Sequence, residues 1–393
     1  MQIVNVFVYL LQIFSISLFY PMKKKIFITL WIVLLVALLW VWWFFAYKIY
    51  WGNVKYTSDW KVHVVSSLLD KINADTMWCW TFQIVWNEML DNIETDVVFA
   101  PQLQEAENLN KKTFTKEQLS EDSYYVKSAL MTKEVKTEIE NWIKEKFNET
   151  SDILDKLNRK NVPETEEWYI WKDKQTYIFY TMLKKIFKFA QAFDKLDPEP
   201  FDDKYENIKY FWIKSSSSSS LYSQVDVLYY NSEDDFAVSL TTNEWENVIL
   251  SRWTNKDTFM NTYNAIKEKS KIYRWERNFW KYDYLKVPNL SLDELREYGE
   301  FKNKIFIAAN GDECEITEAL QTIQFDLDEE GWKIKSEAVI VMDRSNSIAD
   351  ISFEKPDYRY FYFNKPFTIF LQESNKELPY FAAQISDITL FQK

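Results

Sequence analysis

Hydrophobic and polar positions change their period about halfway along the chain. Near the start, Lys23, Lys24 and Lys25 precede an uncharged apolar run from Ile26 to Ala46. That is about the 20 residues a membrane-spanning helix needs. Beyond it, VHVVSSLLDKI (62–72), TFQIVWNEMLDNI (81–93) and EVKTEIENWIKEKF (134–147) repeat apolar residues at helical spacing. The last also carries acids and bases three or four apart, as a solvated helix face does. TYIFYTMLKKIFKFAQAF (176–193) reads as an apolar-faced core helix, and the serines at 215–220 as a low-complexity loop. After that loop the period becomes two. QVDVLYY (224–230), an acidic turn at Glu233, Asp234 and Asp235, and FAVSLTT (236–242) predict a hairpin, and NVILSR (247–252) a further strand. SLDELREYG (291–299) reads as helical, followed by strands within FIAAN (306–310) and ITEALQTIQFDLD (316–328). Helices followed by strands predict an α+β fold rather than a doubly wound sheet: a helical N-terminal half and antiparallel sheets in the C-terminal half.

The apolar run also sets the expected compartment. Lysines before it and few after it place the N-terminus inside and the remainder outside. The run is long for a signal-peptide core and no small-x-small site follows, so a single-pass signal anchor is expected, with a cleaved signal peptide as the alternative. Met22 followed by three lysines resembles a natural start, which makes 1–21 an over-extension of the reading frame, 22–50 the anchor and 51–393 the body.

Composition narrows the function. With 393 residues the chain can bury a substantial core. A net charge of -12 argues against a nucleic-acid partner, which would need a basic face. Two cysteines, Cys79 and Cys314, make at most one bridge, and the single histidine, His63, excludes histidine-rich metal sites and a histidine-based triad. No cofactor or metal ligand set is expected. The chain has 18 Trp against 4 Gly, where Gly makes up roughly 7% of an ordinary protein. Several Trp, including Trp60, Trp245 and Trp332, stand where turn chemistry favours Gly. This pattern predicts UGA codons that the source reads as glycine, written here as Trp; the alternative is an unusually aromatic protein.

Four segments, taken in order, resemble the C-terminal part of the serpins, the protease inhibitors that present a reactive loop as bait. QVDVLYYNSEDDFAVSL (224–240) looks like a serpin strand pair around a short acidic turn. VPNLSLDELREYGEF (287–301) resembles a proline-marked strand leading into a helix that ends at Gly. TEALQTIQFDLDEEG (317–331) is similar to the central-sheet strand that runs into the loop hinge. FYFNKPFTIFLQESNKELPYFAAQISD (361–387) looks like the terminal strand pair. The resemblance covers about the last 170 residues. It implies an exposed reactive-centre loop from about Trp332 to Tyr360, with a hinge at Glu330, Gly331, Ser336, Glu337 and Ala338. Counting from Gly331 puts the scissile bond at Arg344–Ser345, which implies a trypsin-like serine protease as target; counting from Ser336 moves it toward Ala349–Asp350. The chain departs from the family at Gln321, where a buried histidine is usual, and at Val339, Ile340, Val341 and Met342, where small residues are usual.

Two other classes compete. Cys79 followed by Trp80 and Thr81 looks superficially like a cysteine-protease nucleophile, but the only histidine lies upstream, so no catalysis is expected. A monomeric, membrane-anchored serpin-fold protein that inhibits nothing, and serves as a surface binding or structural module, is the alternative to an inhibitor.

Overall fold

The computed structural model describes residues 62–130, 132–151, 153–154, 170–171, 174–175, 177–243, 246–252, 257–334 and 358–392, all within the compact unit Val62–Lys393. The apolar run 26–46, Ser336, Glu337, Ala338, Arg344 and Ser345 lie outside the described residues.

The first part mixes helices with strands. A short β1 (His63–Val64) and β2 (Thr76–Cys79) precede α1 (Thr81–Ile93) and α2 (Gln104–Asn110). Strand β3 (Tyr124–Leu130) then leads into α3 (Lys133–Phe147). Thr132 caps α3, its hydroxyl accepting the Val135 N–H at 3.2 Å, and Asn148 ends it in the left-handed region. The expected helix over 176–193 is instead two strands in line, β4 (Tyr177–Leu183) and β5 (Lys185–Lys188). Ile178 and Tyr180 alternate with more exposed neighbours, and the aromatic and β-branched residues that filled the apolar face suit a pleated surface better than a helix. Residues 62–72 form only β1 and a turn. The helical N-terminal half is therefore corrected to an interleaved one.

Strands β6 (Asp194–Phe201) and β7 (Tyr205–Ile213) follow, then β8 (Val225–Ser232), β9 (Asp235–Thr241) and β10 (Glu246–Arg252), where the sequence placed them. Helix α4 (Phe259–Ile272) is capped by Thr258, whose hydroxyl accepts the Asn261 N–H at 3.1 Å. Strand β11 (Asp283–Pro288) is succeeded by β12 (Leu290–Glu297), where a helix was expected. Its Leu, Glu and Arg content favours a helix locally, but eight consecutive pairings with its neighbour override that preference. The chain closes with β13 (Ile305–Ile307), β14 (Glu313–Glu315), β15 (Leu320–Leu327), β16 (Gly331–Ile334), β17 (Arg359–Tyr362), β18 (Phe367–Glu373) and β19 (Phe381–Ile385).

Three larger sheets organise most of these strands, while β3 with β4 and β13 with β14 form two-stranded ribbons. The largest runs β1-β2-β19-β18-β10-β9-β8, so the terminal strand pair lies between the hairpin side and the early β2. Its inner strands β9 and β10 are buried almost continuously, as strands covered on both faces should be. A second sheet runs β17-β11-β7-β6 and a third β12-β15-β16-β5. One core, including Trp78, Tyr229, Phe236, Leu250, Phe361 and Phe381, joins them. Smaller clusters sit under α1, with Tyr298, Phe301 and Phe306, and under α3, with Tyr125 and Tyr180.

Candidate functional site

The hinge residues named from the sequence begin at a tight turn. The Asp328 carboxylate accepts the N–H of Glu330 at 2.9 Å and of Gly331 at 3.2 Å, closing an Asx-type turn after β15. Gly331 has φ +152°, and a Cβ there would stand 2.1 Å from the Phe187 carbonyl oxygen, so only glycine fits. Glu329 pairs with Lys195 at 2.7 Å while Glu330 is exposed. The chain then does not leave the sheet. Strand β16 runs antiparallel to both neighbours, Trp332 opposite Leu327 and Phe187, and Ile334 opposite Phe325 and Lys185. Trp332 is 3% exposed and packs on Phe187 and Phe325. The expected exposed tether from Trp332 is thus corrected: residues 332–334 are an internal strand. Among the described residues the next strand is β17, which starts at Arg359 and so takes in the last two residues of the expected tether, Arg359 and Tyr360. An open cleft of about 640 Å³, lined in part by Lys188, Lys209, Asn289, Asp328 and Trp332, borders the same turn.

Strand β15 pairs with β16 only at Phe325–Leu327, so among the described residues Leu320–Gln324 has a strand on one side only. Strand β4, just before β5 in the chain, pairs with β3 on one edge and, among the described residues, with no strand on the other. Residues of β15 that face the core are Gln321, Ile323, Phe325 and Leu327. Gln321 donates to the Cys79 carbonyl at 3.0 Å and to the Thr81 hydroxyl at 2.7 Å, and accepts from Tyr298 at 2.6 Å. The amide thereby ties β15 to the start of α1.

A buried charge cluster lies where β5 meets the largest sheet. The Lys185 ammonium donates to Glu246 at 2.5 Å and also to Glu373. Tyr380 donates to the other Glu246 oxygen at 3.0 Å, and Ser120 donates to Glu373 from its backbone and hydroxyl. All three charged side chains are nearly inaccessible, at 5–6% exposure. One cation against two carboxylates leaves one negative charge too many. Burial pushes Glu246 up to about 7, whereas Lys185 and the Ser120 donors hold Glu373 below the ordinary carboxylate range despite its burial. No sequence signal marked this cluster, because Glu246 and Glu373 stand at strand ends, where a charge normally meets water.

Cys79 is buried and its thiol is pushed up to about 11 by desolvation, so it is held as the neutral thiol. The tryptophans divide. The indole N–H groups of Trp80, Trp212, Trp280 and Trp332 are buried with no hydrogen-bond partner among the described residues, but Trp78 donates to the Ser66 carbonyl at 3.3 Å and Trp86 to Asn110 at 3.0 Å. No described Trp has the positive φ that would demand glycine.

No family model matches the chain, and no curated protein matches it. Among solved structures it is similar to Serpin48, a highly specific serpin of the insect Tenebrio molitor, at 10% identity over 80% of this chain and 92% of that one, with a TM-score of 0.38. It is also similar to thyroxine-binding globulin in complex with thyroxine, at 10% identity over 69% of this chain and 78% of that one, with a TM-score of 0.37. Likenesses at such scores carry no argument about this chain's activity.

Proposed function

We propose that the chain is a membrane-anchored, extracytoplasmic serpin-fold protein whose segment after β16 acts as protease bait and, once cut, is taken up as a strand of the third sheet. The observation that carries this reading is the phase of β16. Trp332 and Ile334 stand opposite the core-facing Leu327 and Phe325. Were that register continued on uptake, Ser336 would stand opposite Ile323 and Ala338 opposite Gln321, so the small hinge residues would meet the crowded core face. By the same alternation Lys335 and Glu337 would fall on the other face. A strand with that binary pattern would pair with β15 along Leu320–Gln324, whose second edge has no partner among the described residues. The bulky Val339, Ile340, Val341 and Met342 slow its passage but suit a finished strand. Arg344 supports a trypsin-like target, and the lysines before the apolar run 26–46 support the topology.

A second reading is favoured by one feature: the first residues of the hinge are already paired. A hinge that starts inserted fits a binding or structural module of the same fold that inhibits nothing. Incubating the full chain in detergent with trypsin-like proteases separates the two. A denaturant-stable complex between protease and chain supports inhibition; cleavage at Arg344 without one leaves the module reading.

A further inference from the structure

On an acidic chain of net charge -12, the segment 267–281 is basic, with six Lys and Arg against Glu268 and Glu276. It begins in the last two turns of α4 and runs through the following loop almost to β11. Lys269 and Lys271 suit the negative end of the helix dipole, and pair with Asp235 and Glu268, each at 2.7 Å. That explanation stops at the helix end, yet Arg274, Arg277 and Lys281 lie beyond it and are exposed. The two most exposed large apolar side chains among the described residues lie within the same stretch, Trp275 at 76% and Ile272 at 71%. Tyr358, also exposed, joins them by an edge contact of its ring with Tyr282 at 5.7 Å.

The corner is held rigidly. Arg359 is buried and grips Asp283 through Nε at 2.8 Å and Nη2 at 2.6 Å. The same guanidinium donates to the carbonyls of Glu276 at 2.7 Å and Asn278 at 3.1 Å, and Arg277 folds back onto the Ser270 hydroxyl at 3.1 Å. Asp226, across from Arg277, adds one further carboxylate to the neighbourhood. Cations interleaved with protruding Trp and Ile on a fixed loop match an interface with charge at headgroup level and apolar matter just beneath. A polyanion would complement the cations but leave Ile272 in water.

We propose that the corner formed by Ile272, Arg274, Trp275, Arg277 and Lys281 is a docking surface for an anionic lipid bilayer, which orients the acidic body on the membrane. Ile272 enters the headgroup region, joined by Trp275 in the chain as written, and the cations neutralise lipid charge. Because the rest of the body is repelled by the same surface, the corner sets the orientation as well as adding affinity. This holds whether or not the protein works as an inhibitor.

The test places an environment-sensitive fluorophore at Ile272→Cys in the full chain carrying Cys314→Ser, reconstituted into vesicles. A control probe sits at Ile305→Cys on the β13–β14 ribbon. With phosphatidylglycerol in the vesicles, the emission at 272 is expected to shift to the blue, and with phosphatidylcholine alone it is not; the control stays unchanged. Arg274→Glu with Lys281→Glu should raise the phosphatidylglycerol fraction needed, with each cation worth about fivefold in partitioning. Raising the salt should reverse the shift in the unmutated chain, a readout free of any folding defect. No shift with phosphatidylglycerol, an equal shift with phosphatidylcholine, or an equal shift at residue 305 overturns the proposal. So does the same shift produced by soluble polyphosphate without vesicles, which would assign the corner to a polyanion.

Discussion

Replacing Lys185 by Met removes the one cation that two buried carboxylates share. The ammonium lies 2.5 Å from Glu246, bonds Glu373 as well, and sits 4.7 Å above the Tyr380 ring. Methionine fills most of the volume, so the cost is electrostatic. Breaking a buried pair by removing one partner costs about 3–5 kcal/mol, because an uncompensated charge stays in the interior. The cost must depend on pH. Glu246 is already raised to about 7 by burial, so the native state holds a proton that the unfolded chain releases above about 4.5. Stability from this group therefore falls as pH rises between those values, by about 3 kcal/mol in all. Glu373 acts in the opposite sense: its carboxyl is depressed, so its contribution is present above its ordinary value and lost in acid. Lys185→Met should thus be costly at pH 8 and much milder at pH 5, where both carboxyls can stay neutral. Glu246→Gln should flatten the fall in stability toward alkaline pH while keeping Tyr380 and Lys185 as neighbours. Urea unfolding followed by fluorescence at pH 5 and pH 8 measures all three. Equal losses for Lys185→Met at the two pH values, or a loss below about 1 kcal/mol at pH 8, would refute the reasoning.

Three further outcomes are expected. Gly331→Ala places a Cβ against the Phe187 carbonyl in a backbone conformation that disfavours it, and should destabilise by about 3 kcal/mol or expel β16 from the sheet; a thermal melt within error of the unmutated protein contradicts this. Gln321→Leu strands the Tyr298 hydroxyl and the Cys79 carbonyl and should cost about 2–3 kcal/mol in urea unfolding, whereas Gln321→Glu should be worse at neutral pH than in acid. Protein isolated from its own source should weigh less than the written chain by several Trp-to-Gly differences, with Trp80, Trp212, Trp280 and Trp332 the first positions to examine by peptide mass; true Trp at all four removes the recoding reading.

The hairpin of β8 and β9 and the final strand pair were legible because their side chains alternate and turn residues bound them. The stretch that became β4 and β5 was not, since apolar residues occupy nearly every position and no period stands out; the abundance of Tyr, Phe and Ile was the usable cue. In β12, Leu292 and Leu295 imitate a helix face, and only the ladder with β15 decides otherwise. At the hinge, Gly331 was recognisable and the strand after it was not, because the fate of Trp332 depends on β5, more than 140 residues earlier. The charge cluster was hidden for the same reason: Lys185 finds its partners 61 and 188 residues away. Sequence periodicity reports local pairing, while both features arise where distant strands meet.

The central claim is that the segment after Ile334 completes the third sheet when it is cut. Limited trypsin digestion of the folded chain, followed by a thermal melt of the nicked product, tests it most directly. The expected result is a first cut at Arg344, two fragments that stay associated, and a melting temperature raised well above that of the intact chain, as new ladder bonds form along Leu320–Gln324. A cut at Arg344 that leaves the melting temperature unchanged or lowered would contradict strand uptake, and the absence of any preferred cut between 335 and 357 would remove the bait loop itself.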